Sequence, residues 1–115
     1  MRVLVTGSSG FIGFHLSKKL LEDGLNVHGF DSMNNYYDVK LKKARLNILK
    51  NYKKFSFTKA KLENKKSLER IFKKFKPNIV IHLAAQAGVR YSIDKPDIYL
   101  NSNIVGTFNV IKIAN

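Results

Sequence analysis

Cysteine and tryptophan are absent from the 115 residues, proline occurs twice, and 21 lysines and arginines face only 8 aspartates and glutamates. Without cysteine the chain forms no disulfide and runs no thiolate chemistry, so a reducing cytoplasm is the expected setting. It has no run of about 18 apolar residues, which excludes a transmembrane helix. Met1-Arg2 leads directly into a strand-like run with no signal-peptide pattern ahead of it. Linkers, internal repeats and low-complexity stretches are also missing. One compact domain around one core is therefore expected.

The shortage of acids leaves a net charge of +13, which raises nucleic acid as a partner. Most of that charge is lysine. The pairs Lys18-Lys19, Lys42-Lys43, Lys65-Lys66 and Lys73-Lys74 fall on segments that read as exposed helix faces. Base-reading surfaces interleave arginine with aromatic residues instead. A solvated lysine surface is the better reading. Neither nucleic acid nor a membrane is expected as a partner.

What is present is a regular alternation. Met1 to Thr6 reads as a strand whose consecutive Val3, Leu4 and Val5 suit burial on both faces. Phe11 to Asp23 reads as a helix with Ile12, Leu16, Leu20 and Leu21 as its apolar stripe and Gly24 as its cap. Leu25 to Phe30 is a second strand, closed by Asp31. Asp38 to Lys50 is a second helix with Val39, Leu41, Leu46 and Leu49 apolar. Phe55 to Thr58 alternates as a short strand, and Ser67 to Phe75 forms a third helix ended by Pro77. Asn78 to Leu83 is the clearest buried strand, and a last helix runs from about Asp97 to the end of the chain, which carries no helix stop signal. Strands alternating with helices imply an α/β fold with a parallel sheet and right-handed crossovers.

The first turn is TGSSGFIG, residues 6–13. A strand, a glycine-rich turn and a helix N-terminus together form an anion site, because unpaired N–H groups and the positive helix end point at the ligand. Gly7 allows the tight turn, Gly10 lets the backbone approach a pyrophosphate, and Gly13 lets the helix pack on the strand. The spacing G-x-x-G-x-x-G is one residue longer than the common form, and spaced glycines alone also suit an ordinary turn. The context of strand, helix and the acid Asp31 points to a dinucleotide. A carboxylate there accepts ribose hydroxyls and repels a 2′-phosphate, which favours NAD over NADP. Farther on, Ala84, Ala85, Ala87 and Gly88 are small enough for a flat ligand to lie against the strand's carboxyl end. Arg90 suits a phosphate or carboxylate but equally suits a surface loop. His82, inside an apolar strand, reads as structural.

TGSSGFIG, Asp31 and the segment HLAAQAGVRYS at 82–92 resemble the extended short-chain dehydrogenase/reductase family. Asp31 to Lys42 and AAQAGVRYSIDKP at 84–96 are similar to its NAD-dependent nucleotide-sugar epimerases of the UDP-glucuronate 4-epimerase type, and the resemblance covers the whole chain. It implies that Gly7, Gly10, Phe11, Ile12 and Gly13 hold the pyrophosphate. It also implies that Asp31, Asn35 and Lys42 hold the adenosine end, and that Leu83, Ala84, Ala85 and Asn103 lie along the cofactor. Gln86, Arg90 and Ser92 would edge the sugar-nucleotide pocket. In such enzymes a UDP-sugar is oxidised at C4, the keto sugar turns over, and the hydride returns to its other face.

Two departures shape the expectation. Where the family usually has an acid for the adenine amine, this chain has Lys61, which cannot accept that bond, so adenine binding is expected either to weaken or to rely on the Leu62 backbone. The family's catalytic tyrosine, four residues before a lysine on a helix, belongs beyond residue 115. Tyr36 to Lys40 and Tyr91 to Lys95 have that spacing without its helical context, so no catalytic residue is assigned. The resemblance thus implies that residues 1–115 are the N-terminal portion of an NAD-binding Rossmann domain, a parallel sheet of order 3-2-1-4 with helices on both faces, with catalytic and substrate portions absent, a free sheet edge, and homo-oligomeric or self-associating behaviour. The alternative is a non-catalytic NAD(P)-binding or sensing module.

Overall fold

The computed structural model describes residues 1–33, 39–84 and 106–114. Among the described residues four strands and four helices alternate: β1 (Arg2–Thr6), α1 (Phe11–Glu22), β2 (Asn26–Asp31), α2 (Val39–Lys50), β3 (Phe55–Lys59), α3 (Lys65–Phe75), β4 (Ile79–His82) and α4 (Thr107–Ala114). The sheet is parallel throughout, in the order β3-β2-β1-β4 that the family resemblance implies. The earlier part of the expected last helix, from Asp97 to Val105, lies outside the described residues.

β1 is central, and its side chains alternate between two apolar layers. Val3 and Val5 pack with Phe14 and Leu21 of α1, Val27 of β2 and Leu49 of α2. Leu4 packs on the opposite face with Phe30, Leu62, Leu68 and Ile71, and with Val110 of α4. This two-sided burial is why β1 reads as a continuous apolar run.

The helices differ from the sequence pattern in rotational phase. α1 buries Gly13, Phe14, Ser17 and Leu21, while Ile12 is 65% exposed. The reason is Gly13: a Cβ there would sit 2.0 Å from the Gly7 carbonyl oxygen, so this position faces the loop and sets the turn of the helix. In α2 the expected apolar Leu41 is exposed, whereas Lys42, expected on a solvated face, is buried. α3 starts two residues earlier than the pattern suggests, because Asn64 Oδ1 accepts the Ser67 N–H at 3.2 Å as an N-cap. It ends at Lys76, whose left-handed backbone (φ 53°) donates its N–H to Phe72 O before Pro77.

β4 corrects a further expectation. It is not buried on both faces: Ile79 is 42% exposed, and the other three residues are half-buried. Among the described residues β4 pairs only with β1, so it forms an edge of the sheet.

Candidate functional site

The loop between β1 and α1 lies at the carboxyl end of the sheet. Gly7 donates its N–H to Phe30 O at 2.7 Å, and Gly10 donates to Gly7 O at 3.1 Å. Gly7 has φ 77°, and a Cβ there would fall 2.8 Å from Ala84 N, so both conformation and space require glycine. Among the described residues a Cβ on Gly10 would meet Gly7 O alone, at 3.3 Å, so none of them fills the outer side of this residue. Phe14 N–H makes the first helical bond, to Gly10 O at 2.9 Å. The amides of Phe11, Ile12 and Gly13 thus stand ahead of the helical ladder, at the positive end of a helix with no side-chain cap. Phe11 and Ile12 themselves are 67% and 65% exposed beside the loop.

Asp31 binds this loop to the end of β2. Its Oδ2 accepts the Ser9 N–H at 3.0 Å, and its Oδ1 accepts the Met33 N–H at 2.8 Å. Lys42 Nζ lies 3.7 Å from Oδ1, and both side chains are more than nine-tenths buried. Sequence reading assigned Asp31 and Lys42 to the adenosine end separately; the structure makes them an ion pair. Arg45, which no sequence signal singled out, reaches from α2 to donate to Ser9 O at 3.1 Å, with its guanidinium 5.9 Å from the Phe11 ring centroid. The hydroxyls of Ser8, Ser9 and Ser17 are buried without a hydrogen-bond partner among the described residues. Ser8 Oγ turns toward the sheet, 2.5 Å from where a Cβ on Gly29 would lie.

The second wall is the end of β4. Thr6 Oγ1 accepts the amides of Leu83 and Ala84 at 3.0 and 3.2 Å, and lies 2.6 Å from His82 Nδ1. His82 Nε2 in turn lies 3.0 Å from Thr107 Oγ1 of α4, and burial lowers the pKa of this histidine. Thr6 was missed in the sequence, although a fully buried polar residue that closes an apolar strand just before a glycine turn is a usable signal.

The structure therefore gathers Gly7, Gly10, Phe11, Ile12, Gly13, Asp31 and Lys42 at one end of the sheet, with Leu83 and Ala84 beside them. Leu62 puts its side chain into the core under α3, 6% exposed, so any contact it makes with a ligand is through its backbone. Lys61 is exposed. Asn35, Ala85, Gln86, Arg90, Ser92 and Asn103 lie outside the described residues. A separate cleft of about 500 Å³ between α2 and β3 is lined by Met33, Leu46 and Phe57 with Lys43, Lys50 and Lys59.

The residues present fit a dinucleotide: two glycines that tolerate no side chain, a third that leaves room for phosphate, free helix-end amides and an acid at the neighbouring strand end. A parallel sheet of this order with that loop defines a Rossmann-type fold. The chain belongs to the family described as GDP-mannose 4,6 dehydratase, whose model matches residues 4–115. It is 47% identical over 114 residues to a probable UDP-glucuronate 4-epimerase of Rhizobium meliloti (strain 1021), covering 99% of this chain and 33% of that one. To the UDP-glucuronate 4-epimerase of Thermodesulfobacterium geofontis (strain OPF15) it is 46% identical over 110 residues, covering 96% and 34%. Its structure is similar to that of the UDP-glucuronic acid 4-epimerase of Bacillus cereus in complex with UDP-glucuronic acid and NAD. The TM-score is 0.89 at 32% identity, over 99% of this chain and 36% of that one. The chain thus spans about a third of the length of the relatives it matches.

Proposed function

We propose that the chain is the NAD-binding portion of a nucleotide-sugar epimerase or dehydratase that works by transient C4 oxidation of a UDP-sugar. The observation that carries this reading is the loop itself: Gly7 and Gly13 exclude side chains, while Gly10 and the amides that follow it stay open to an anion. Asp31, at the neighbouring strand end, is placed for the adenosine ribose. When bound, NAD would accept the sugar's hydride and return it. This chain's residues would bind and orient it: the loop amides toward the pyrophosphate, Asp31 and Lys42 toward the ribose, and Leu83 and Ala84 along its length. The Bacillus cereus enzyme, seen with both UDP-glucuronic acid and NAD, supports the choice of cofactor and of substrate class.

In this reading residues 1–115 form the N-terminal portion of the cofactor domain. The proton-transferring tyrosine and lysine, and most sugar contacts, come from polypeptide outside this sequence. Gln86, Arg90 and Ser92 would edge the substrate pocket, and Asn35, Ala85 and Asn103 would complete the cofactor contacts. The setting would be cytoplasmic; among the described residues no helix is long and apolar enough to cross a membrane.

Calorimetric titration with NAD, on the parent chain and on Gly10→Ala, tests the reading. Gly10 has φ −73° and ψ 172°, a conformation that alanine adopts without strain. The variant should melt within a few degrees of the parent yet bind NAD at least about tenfold more weakly, a difference of about 1.4 kcal/mol. A folded parent chain that does not bind NAD, or a variant that binds it equally well, would overturn the proposal.

A further inference from the structure

Thr6 ends β1 with no exposed surface, and its hydroxyl sits at the centre of a small polar cluster. Oγ1 faces the Ala84 N–H at 3.2 Å and the Leu83 N–H at 3.0 Å, the latter shared with the Thr6 carbonyl at 3.1 Å. His82 Nδ1 lies 2.6 Å from the same oxygen. A hydroxyl offers one hydrogen and two lone pairs. The two amides can only donate, so they occupy its accepting side. Its single hydrogen is left for His82 Nδ1, which must therefore be the unprotonated ring nitrogen. The ring's own hydrogen then sits on Nε2 and donates to Thr107 Oγ1 at 3.0 Å. Burial, which lowers the pKa of His82, keeps the ring neutral and the arrangement intact.

We infer that His82 is a positioning residue. Fixed as the Nε2–H tautomer, it holds the Leu83–Ala84 wall against the glycine loop through Thr6, and ties α4 to the same point. The clearance involved is small. Ala84 N lies 2.8 Å from where a Cβ on Gly7 would stand, so the two backbones that face each other here leave no room for adjustment. A ring in the other tautomer would turn an N–H onto an oxygen already facing two amides, and would leave Thr107 Oγ1 without its donor. The inference rests on reading this cleft as the cofactor's for its functional meaning, but the hydrogen-bond chain stands independently of that reading.

The closing experiment keeps the two apart. Nitrogen-15 NMR of the histidine rings near neutral pH reads the tautomer without any ligand. Nδ1 of His82 should appear unprotonated and Nε2 protonated; the opposite tautomer, or a charged ring, would overturn the inference. Amide exchange then reads the wall. Leu83 and Ala84 should exchange at least about fivefold faster in Thr6→Val and in His82→Leu, since each variant removes hydrogen bonds from this chain. Thr6→Ser, which keeps the hydroxyl, should restore both the protection and the ring signal. Unchanged exchange in Thr6→Val, or failure of the serine variant to rescue, would refute the role. NAD titration of the same variants is read last. A wild-type chain with the stated tautomer and protected amides but no NAD affinity would sink the proposed function and leave the positioning role standing.

Discussion

Asp31 answers two demands with one carboxylate. Besides the ribose contact proposed for it, it braces the loop through the amides of Ser9 and Met33 and neutralises a buried Lys42. A substitution here therefore does more than remove a ligand contact. Asp31→Ala would leave the Lys42 ammonium buried beside an apolar methyl, and removing one partner of a buried pair costs about 3 kcal/mol or more. Thermal melting should show that loss, and the double variant Asp31→Ala/Lys42→Met should recover the part due to the stranded charge but not the part due to the lost Ser9 and Met33 amide bonds. If the double variant is no more stable than the single one, the pair contributes nothing and the loop is braced by the amide bonds alone. The same pair corrects a picture in which every lysine cluster is solvent-facing: Lys42 and Lys43 are sequence neighbours, yet helical geometry sends Lys42 under the loop.

At the scale of elements, β2 and β3 are joined by a side-chain bridge as well as by their backbones. His28 Nδ1 lies 2.6 Å from Ser56 Oγ, and Nε2 lies 2.8 Å from Thr58 Oγ1, with the Phe75 ring of α3 packed nearby. Burial, helped by the Lys74 charge, pushes the His28 pKa from 6.5 down to about 4. The folded chain therefore holds this proton less tightly than the unfolded chain. Stability is full above pH 6.5 and falls as pH drops from there toward 4. The lowered pKa of His82 acts in the same direction. Melting temperature should fall across that window, and His28→Gln should flatten most of the slope; an unchanged slope would rule the bridge out as its cause. Element order and the glycine loop were legible in the sequence because both are written in local periodicity and spacing, whereas the sheet order, a non-local property, came with the family resemblance. The phase of α1 was not, since a contact between Gly13 and the Gly7 carbonyl overrides the apolar stripe. Arg45 and the Thr6–His82 link were not legible either. Their partners lie 36 and 76 residues away, and no local pattern encodes such a pairing.

At the scale of the whole molecule, the sheet is asymmetric. Its β4 side presents Ile79 and Leu83, and α4 presents Phe108 and Ile111, at 42%, 39%, 60% and 57% exposure. A strand edge that no other described strand covers, beside exposed apolar side chains, invites pairing with a second copy. Sedimentation equilibrium of the isolated chain should reveal species heavier than the 13.1 kDa monomer, and Ile79→Lys should shift the population back toward it. A single monomeric species at all concentrations, with a cooperative melt, would refute this. The position of β1 has another consequence, one of timing during synthesis. Its β2 neighbour follows closely in the chain, but the residue that meets Thr6 on the other side is made 76 residues later. At about 5–20 residues per second, one flank of the central strand waits roughly 4–15 seconds on the ribosome for its partner. Until then, the strand that later carries the loop is itself an open edge, and the nascent chain is most exposed to chaperones and to its neighbours on the same message.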